Sequence, residues 1–426
     1  MLTAIIRTLV FTVLFLSTIS GFGQIRGLEL LENEKDVEFE FRFENNYILL
    51  DIRLNNFLPL TFIFDTGAEH TILFQKAIGD LLGFEYSQKV TIVGADLSEG
   101  ITAYISRNIS IDLVDLPQVK RDIVVLSEDY LRLEELTGTS VHGIIGSSFF
   151  HGMVIDINYK KRKIKLTHPD KFETPNPKEF KEVEIFLVNN KPYIKAKTQV
   201  ESGKETDVLL LLDTGAGLTY LLHSNTDTLL NLPQTVMKGN LGHGLGGIIE
   251  GYVGKADFLE FGPFRFDNFV TNFQDVDSVW HGNSELFRNG IIGNIILSRF
   301  RVIIDYTKHK LYLKAEKSYK EEFAYDKSGI TLIAFGKNLD DYYVKDVLKD
   351  SPAALAGIQK GDLIKKVGFW HVSFLNLDKI LKKFSGKHGD KITLKLKRGD
   401  ECVKKTFYLK DFFLESPKSG RSPRGL

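Results

Sequence analysis

Phe64-Asp65-Thr66-Gly67-Ala68 and Leu212-Asp213-Thr214-Gly215-Ala216 decide how this chain is read, because the same turn occurs twice, 148 residues apart. Each Asp-Thr-Gly ends an apolar run, Leu60-Thr61-Phe62-Ile63-Phe64 before the first and Val208-Leu209-Leu210-Leu211-Leu212 before the second. A carboxylate at the end of a buried run is costly unless the fold gains something from it. Asp and Gly both favour turns, so a single copy would read as turn chemistry. Two copies at a fixed offset, each followed by Ala, predict a pair of carboxylates brought together by a duplicated fold.

The repeat extends beyond the turn. At the same offset Thr71 falls on Thr219, Gly94 on Gly242, Leu97 on Leu245 and Tyr104 on Tyr252. Gly143-Ile144-Ile145-Gly146 is answered by Gly290-Ile291-Ile292-Gly293 after a one-residue slip, and Val154-Ile155-Asp156 by Ile303-Ile304-Asp305. Periods of roughly 20 to 50 residues mark solenoids. A period of about 150 residues is a whole lobe.

The duplicated turns resemble those of the retropepsin-like and pepsin-like aspartic proteases. Each is paired with an apolar-apolar-Gly segment, Ile144-Ile145-Gly146 or Ile291-Ile292-Gly293, 81 and 80 residues after its Asp. The resemblance covers residues 45–315 and implies a mainly β, two-lobed fold with a pseudo-twofold axis. The first lobe is expected over residues 28–170 and the second over 180–317, in a monomer whose symmetry is internal. In that family the apolar-Gly segment threads the loop carrying the Asp, and its Gly lets two backbones approach closely. Asp65 and Asp213 would be the catalytic pair. Thr66 and Gly67, with Thr214 and Gly215, would support the turns, the Thr hydroxyls bonding across the axis. The Ala after each Gly is similar to retropepsins, and the single-chain duplication is similar to pepsin.

The implied chemistry is peptide-bond hydrolysis without a nucleophilic side chain. Two carboxylates about 3 Å apart cannot both ionise and so share one proton, aspartic proteases being the standard example of such a pair. The ionised member takes a proton from water and the protonated member polarises the substrate carbonyl. The competing expectation is a catalytically inactive adaptor that binds peptides both in the same cleft and in a groove of the C-terminal segment.

Other chemistries find less support. Gly242-His243-Gly244-Leu245-Gly246-Gly247 formally satisfies G-x-G-x-x-G, but Ile248-Ile249-Glu250-Gly251-Tyr252-Val253-Gly254 follows. A phosphate site there would need a helix, which those β-type residues do not predict. In the resembled family this position carries a flap over the cleft, which makes Gly242 and Leu245, with Gly94 and Leu97 in the first lobe, flap candidates. The histidines show no H-E-x-x-H or comparable spacing, so neither metal nor cofactor is expected. Gly146-Ser147-Ser148 lacks the G-x-S-x-G of a nucleophile elbow.

Residues 1–23 carry one charge, Arg7, then an apolar stretch from Leu9 to Ile19 and small residues at Gly21 and Gly23. This predicts a secretory signal, its apolar part shorter than a membrane span. Cys402 is the single cysteine, so no intramolecular disulfide can form. An exported protein without disulfides fits the bacterial periplasm or cell envelope, with secretion as the alternative. The 55 basic and 55 acidic residues cancel, and loss of Arg7 with the signal leaves −1, which argues against a nucleic-acid partner.

After Leu313 a charged stretch, Lys314 to Lys327, reads as a linker. Beyond it stands Ser351-Pro352-Ala353-Ala354-Leu355-Ala356-Gly357-Ile358-Gln359-Lys360-Gly361-Asp362-Leu363-Ile364. Ser351 is placed to cap a short helix that has Pro352 first and ends at Gly357. This run resembles a PDZ domain of the bacterial permuted type, expected over residues 327–411. The resemblance implies that a peptide adds as a strand to a sheet edge, its carboxylate held by backbone N–H groups at Ser328, Gly329 and Ile330. Residues 412–426, rich in Ser, Pro, Gly and Arg, read as a disordered tail. The whole reads as an exported aspartic endopeptidase whose PDZ module recruits substrate or partner.

Overall fold

The computed structural model describes residues 31, 35–57, 59–92, 101–113, 116–201, 203–244, 247–276 and 288–414. The expected signal segment, the flap candidates Gly94, Leu97 and Leu245, and the tail past Leu414 lie outside the described residues. Among those described, no helix is long and apolar enough to cross a membrane.

The protein is mainly β and two-lobed, with a separate C-terminal PDZ sheet. The repeat seen in the sequence becomes two eight-stranded sheets of identical order. The first runs Arg42–Glu44, Tyr47–Leu54, Leu60–Asp65, Gly143–Gly146, Ile72–Leu73, Val119–Leu126, Ile101–Leu113, Tyr86–Ile92. The second runs Phe186–Val188, Lys191–Gln199, Thr206–Leu212, Gly290–Ile292, Tyr220–His223, Phe264–Gln274, Gly247–Phe261, Met237–Gly244. The strand leading into each Asp-Thr-Gly turn therefore lies inside its sheet with neighbours on both edges, which is why the run is almost wholly apolar.

The apolar-Gly segments thread as parallel partners of those strands: Asp65 pairs with Gly146 and Leu212 with Ile292. Their glycines leave no room for a side chain. A Cβ on Gly146 would fall 2.5 Å from the His70 carbonyl oxygen, and one on Gly293 would fall 2.3 Å from that of Leu218. Close backbone approach is the physical reason for glycine here.

A third sheet of six strands joins the lobes. Asp36–Glu40, Lys163–Thr167 and Val154–Asn158 come from the first, and Phe300–Asp305, Lys310–Ala315 and Lys181–Glu184 from the second. At its centre Ile155 pairs with its repeat mate Ile304, flanked by Val154 with Asp305 and Asp156 with Ile303. The pseudo-twofold axis passes through that pair. One continuous apolar core spans both lobes, including Phe62, Phe64 and Phe150 from one and Leu212, Phe273 and Phe300 from the other.

The PDZ sheet has a core of its own around Leu332, Val344, Ile364, Ile380, Phe384 and Leu394. Ser351 caps its first helix as expected, its hydroxyl accepting the Ala354 N–H at 3.2 Å. Phe413, assigned to the disordered tail from the sequence, is buried and lies 5.6 Å from the Tyr325 ring. Its aromatic surface finds a partner, so the ordered chain runs past residue 412.

The charged linker also needs correction. Tyr319 and Phe323 pack into an aromatic cluster with Phe264, Phe266, Phe269 and Phe300. Between them the buried Arg299 guanidinium stacks 3.5 Å from the Phe323 ring centre and donates to the carbonyls of Ser318 (3.0 Å), Tyr319 (3.3 Å) and Glu322 (3.3 Å). Charged side chains face solvent while the two aromatics bury, so residues 318–323 belong to the second lobe. A chain ended at Lys317 should therefore be less stable than one ended at Ala324, by on the order of 3 kcal/mol for the lost aromatic burial and orphaned guanidinium. Urea melts of the two truncated chains measure this, and equal midpoints would return residues 318–323 to the linker.

Candidate active site

Each Asp-Thr-Gly turn leaves its sheet at the end of a buried strand and meets its counterpart across the axis. Thr66 and Thr214 are 1% exposed and take part in four hydrogen bonds across the axis, two of them with each other. The Thr66 N–H donates to Thr214 Oγ1 and the Thr214 N–H to Thr66 Oγ1, both at 3.0 Å. The Thr66 hydroxyl donates to the Leu212 carbonyl at 2.7 Å, and the Thr214 hydroxyl to the Phe64 carbonyl at 2.8 Å. Each hydroxyl thus accepts one bond and donates another, and no donor in this buried lattice is left over.

That lattice sets the position of the carboxyls. A Cβ built on Gly67 would lie 2.4 Å from Asp213 Cγ, and one on Gly215 would lie 2.2 Å from Asp65 Cγ. Each carboxyl rests on the opposite lobe's glycine, where any side chain would evict it. Asp65 and Asp213 are 9% and 6% exposed and within hydrogen-bonding reach of each other. Asp65 Oδ1 accepts the N–H groups of Gly67 (2.7 Å) and Ala68 (3.0 Å), and Asp213 Oδ1 accepts that of Gly215 (2.8 Å).

Burial is the largest influence on both acids. It raises Asp65 well above the usual carboxylate range, and the charge of Asp213 and the hydrogen bond between the two add to it. Burial raises Asp213 too, but the hydrogen bond with Asp65 and the nearby Arg288 hold it back. Burial thus disfavours full ionisation of the pair, and Arg288 is the charge near it that favours ionisation of Asp213.

Several neighbours of the pair were missed in the sequence. Each lobe opens with an Asn-Asn hairpin turn in the left-handed region, Asn45 and Asn46 at φ 48° and 66°, Asn189 and Asn190 at φ 50° and 59°. The residue after each turn, Tyr47 or Lys191, faces the dyad. Burial, then the charge of Asp213, pushes the Tyr47 phenol up to about 12. Lys191 is lowered by burial and then by Arg288, with Glu69, Asp65 and Asp213 opposing. The repeated Asn-Asn was the available signal. Behind the second turn, Asn294 Nδ2 donates to the Thr214 carbonyl at 2.6 Å while its Oδ1 accepts the Tyr159 hydroxyl at 2.6 Å. In the first lobe Ser147 stands in the matching place, its hydroxyl donating to the Ala68 carbonyl at 2.9 Å.

Of the flap candidates, Gly242 lies in strand Met237–Gly244, paired with Ile249 near the tip of a hairpin. Ser328, Gly329 and Ile330 lie at the start of PDZ strand Ile330–Phe335, far in sequence from the dyad and on a different sheet. The amides of Ser328 and Gly329 donate to Asp326 Oδ1 at 3.0 and 2.7 Å, and that of Ile330 to Ser328 Oγ at 3.1 Å. The loop expected to receive an outside carboxylate therefore holds an inside one.

Comparison with known proteins locates one match within the chain, in its C-terminal part. A family model described as a PDZ domain matches residues 343–398, and the chain contains that domain. A probable CtpA-like serine protease of Staphylococcus saprophyticus is 35% identical over 89 residues, 21% of this chain and 18% of that protein. Its counterpart in Staphylococcus epidermidis is 37% identical over 92 residues, with the same coverage. The match is confined to the PDZ part and spans less than a fifth of those relatives. Among solved structures, the aspartic proteinase from Irpex lacteus aligns with a TM-score of 0.40 and 12% identity, covering 67% of this chain and 99% of that one.

The raised carboxyl has a thermodynamic consequence. Between the ordinary carboxylate pKa and the higher folded value, the folded chain keeps a proton that the unfolded chain has released. Stability therefore falls as pH rises through that window. Asp65→Asn removes the penalty, so it should raise the melting temperature at pH 7 by on the order of 3 °C, with the gain vanishing at about pH 4. Calorimetry at both pH values checks the sign, and a loss of stability at pH 7 would contradict the raised carboxyl.

Proposed function

We propose that this protein is an aspartic-type endopeptidase with Asp65 and Asp213 as its catalytic pair. The observation that carries the reading is the reciprocal seating of the two buried carboxyls, each against the other lobe's glycine and within reach of a shared proton. In this reading Asp65 holds the proton and Asp213 is the base, because Arg288 favours the ionised form of the latter. A water between the carboxyls gives its proton to Asp213 as its oxygen adds to the scissile carbonyl carbon, while Asp65 protonates the carbonyl oxygen. Collapse of the resulting diol breaks the C–N bond, the leaving nitrogen takes the proton from Asp213, and a diol hydroxyl returns one to Asp65. Each acid ends in its starting state.

The part shared with CtpA-like serine proteases is the PDZ segment, so it bears on recognition of peptides and leaves the hydrolytic chemistry to the two lobes. The same proposal takes the hairpin of strands Met237–Gly244 and Gly247–Phe261 and its first-lobe counterpart as flaps over the cleft. It also places the chain, as a monomer, in a bacterial periplasm or envelope, on the strength of the apolar stretch Leu9–Ile19 and a single Cys402.

The test is cleavage of a denatured protein by the purified chain with and without pepstatin. Asp65→Asn or Asp213→Asn should each cost about 1,000-fold or more in turnover, and the double variant little beyond that, because the pair works as a unit. Substantial residual turnover in Asp213→Asn would sink the dyad.

A second expectation concerns pH. Ala68 and Ala216 offer no side-chain donor to the carboxyls, so the shared proton is held to higher pH than it would be beside a hydroxyl. Activity should peak in weakly acidic to near-neutral conditions, and the Ala68→Ser, Ala216→Ser pair should move the profile toward acid. An unshifted profile would assign control of that proton to other groups.

A further inference from the structure

The PDZ groove has both of its ends filled by this chain. Its edge strand, Ile330–Phe335, pairs on one side with Asp341–Val347 and ends the sheet on the other. Helix Leu377–Phe384 bounds the groove, its last turn fixed to the carboxylate loop where the Lys327 N–H donates to the Phe384 carbonyl at 2.9 Å. At this end Asp326 occupies the amides of Ser328 and Gly329. At the far end stands the first lobe. Helix Leu133–Thr137 packs against strand Ile330–Phe335, and Gly138, which ends that helix at φ 65°, rests on the PDZ. A Cβ on Gly138 would fall 3.2 Å from Leu377 Cβ and 3.6 Å from Ala334 Cβ. Ala334 and Leu377 are buried accordingly, and Lys345 faces Glu135 and Arg132 across the seam.

The plugging segment leads to the dyad by direct contacts. Asn45 Nδ2 donates to the Thr137 carbonyl, and the Thr139 hydroxyl donates to Glu44 Oε2 at 2.8 Å. Glu44 and Tyr47 close the hairpin whose turn is Asn45-Asn46. From that turn Asn46 Nδ2 reaches the Gly217 carbonyl at 3.5 Å, and the Tyr47 ring lies where a Cβ on Gly217 would be 2.9 Å from Cζ. Gly217 follows Asp213 by four residues. Groove, helix, hairpin and catalytic turn are one contiguous series of packed and bonded groups, the physical kind of connection that coupling between sites requires.

We propose that the PDZ groove holds an internal ligand, the Leu133–Gly138 segment with Asp326 in the carboxylate loop, and that a peptide carboxy terminus displacing it acts on the cleft through the Glu44–Tyr47 hairpin. The docked form is the ordered one, since docking holds the helix that holds the hairpin. An arriving peptide must evict Asp326 with its own carboxylate and release Leu133–Gly138 from the edge strand, which loosens Tyr47 against Gly217. By linkage, whatever fills the cleft tightens the docking. The effect on turnover rests on the peptidase reading, whereas the docking and its path to the hairpin do not.

Hydrogen exchange on the full chain separates the two. Gly138→Arg forces a long side chain and an unfavourable φ against Leu377. It should speed exchange at least tenfold over Ile330–Phe335, and likewise at Glu44–Tyr47 and Thr214–Gly217. Unchanged exchange at Ile330–Phe335 would remove the internal ligand. Acceleration there with the hairpin unmoved would remove the path. A second arm covers a variant that does not fold. Glu135→Cys with Lys345→Cys in a Cys402→Ser chain, joined by a short bis-maleimide, should cross-link within one molecule and slow exchange at Glu44–Tyr47. Failure to cross-link, or a hairpin indifferent to it, would overturn the proposal. None of these readouts needs hydrolysis, so a wild-type chain that cleaves nothing would count against the peptidase reading alone.

Discussion

Two carboxyls buried within reach of each other constitute the constraint on which the rest of this structure depends. Left to themselves they repel and seek water. At such range the repulsion is on the order of several kcal/mol even at an effective dielectric of 20. The fold answers with rigidity. Thr66 and Thr214 lock the two turns to each other's strands by reciprocal bonds, all between buried groups. The turns cannot separate without stranding buried donors, and a stranded donor costs about 1–3 kcal/mol. The carboxyls are thus held together by groups that carry no charge.

The same constraint explains the architecture around the site. Two symmetric turns can meet only where the lobes meet, so the lobes share a six-stranded sheet and a continuous core beneath the dyad. The bidentate pair of Arg301 with Asp156, at 2.9 and 2.5 Å, ties the two central strands of that sheet across the axis. Around the two turns the symmetry is broken. Tyr47 stands on one side and Lys191 on the other, Ser147 backs one turn and Asn294 the other, and Arg288 lies near Asp213. These differences give the two acids different surroundings although their turns are alike.

The PDZ domain shows how a module can be familiar in sequence and particular in setting. Its helix cap at Ser351, its bidentate Asp362–Arg398 pair at 2.7 and 2.8 Å and its separate core are local matters. What meets its groove is settled by a helix more than 190 residues earlier in the chain. Only the packed structure sets Gly138 against Leu377.

The amino-acid sequence by itself determined the duplicated lobes, the mainly β fold, the pairing of Asp65 with Asp213 through their turns, and the PDZ. Each rests on short-range rules: apolar runs, turn residues, a fixed offset and a helix cap. Tertiary structure alone decided what lies between distant segments. Tyr319 and Phe323 sit in a run whose charges read as linker, because charge shows in a sequence while the pocket that buries an aromatic ring does not. Phe413 was hidden in the same way by the polar tail that follows it. Asp326 was overlooked because a carboxylate next to Lys327 reads as surface, and only the folded loop turns the amides of Ser328 and Gly329 onto it. Arg288 was equally out of reach as a neighbour of Asp213, since it is 75 residues away in the chain and comes beside it only when the second lobe closes.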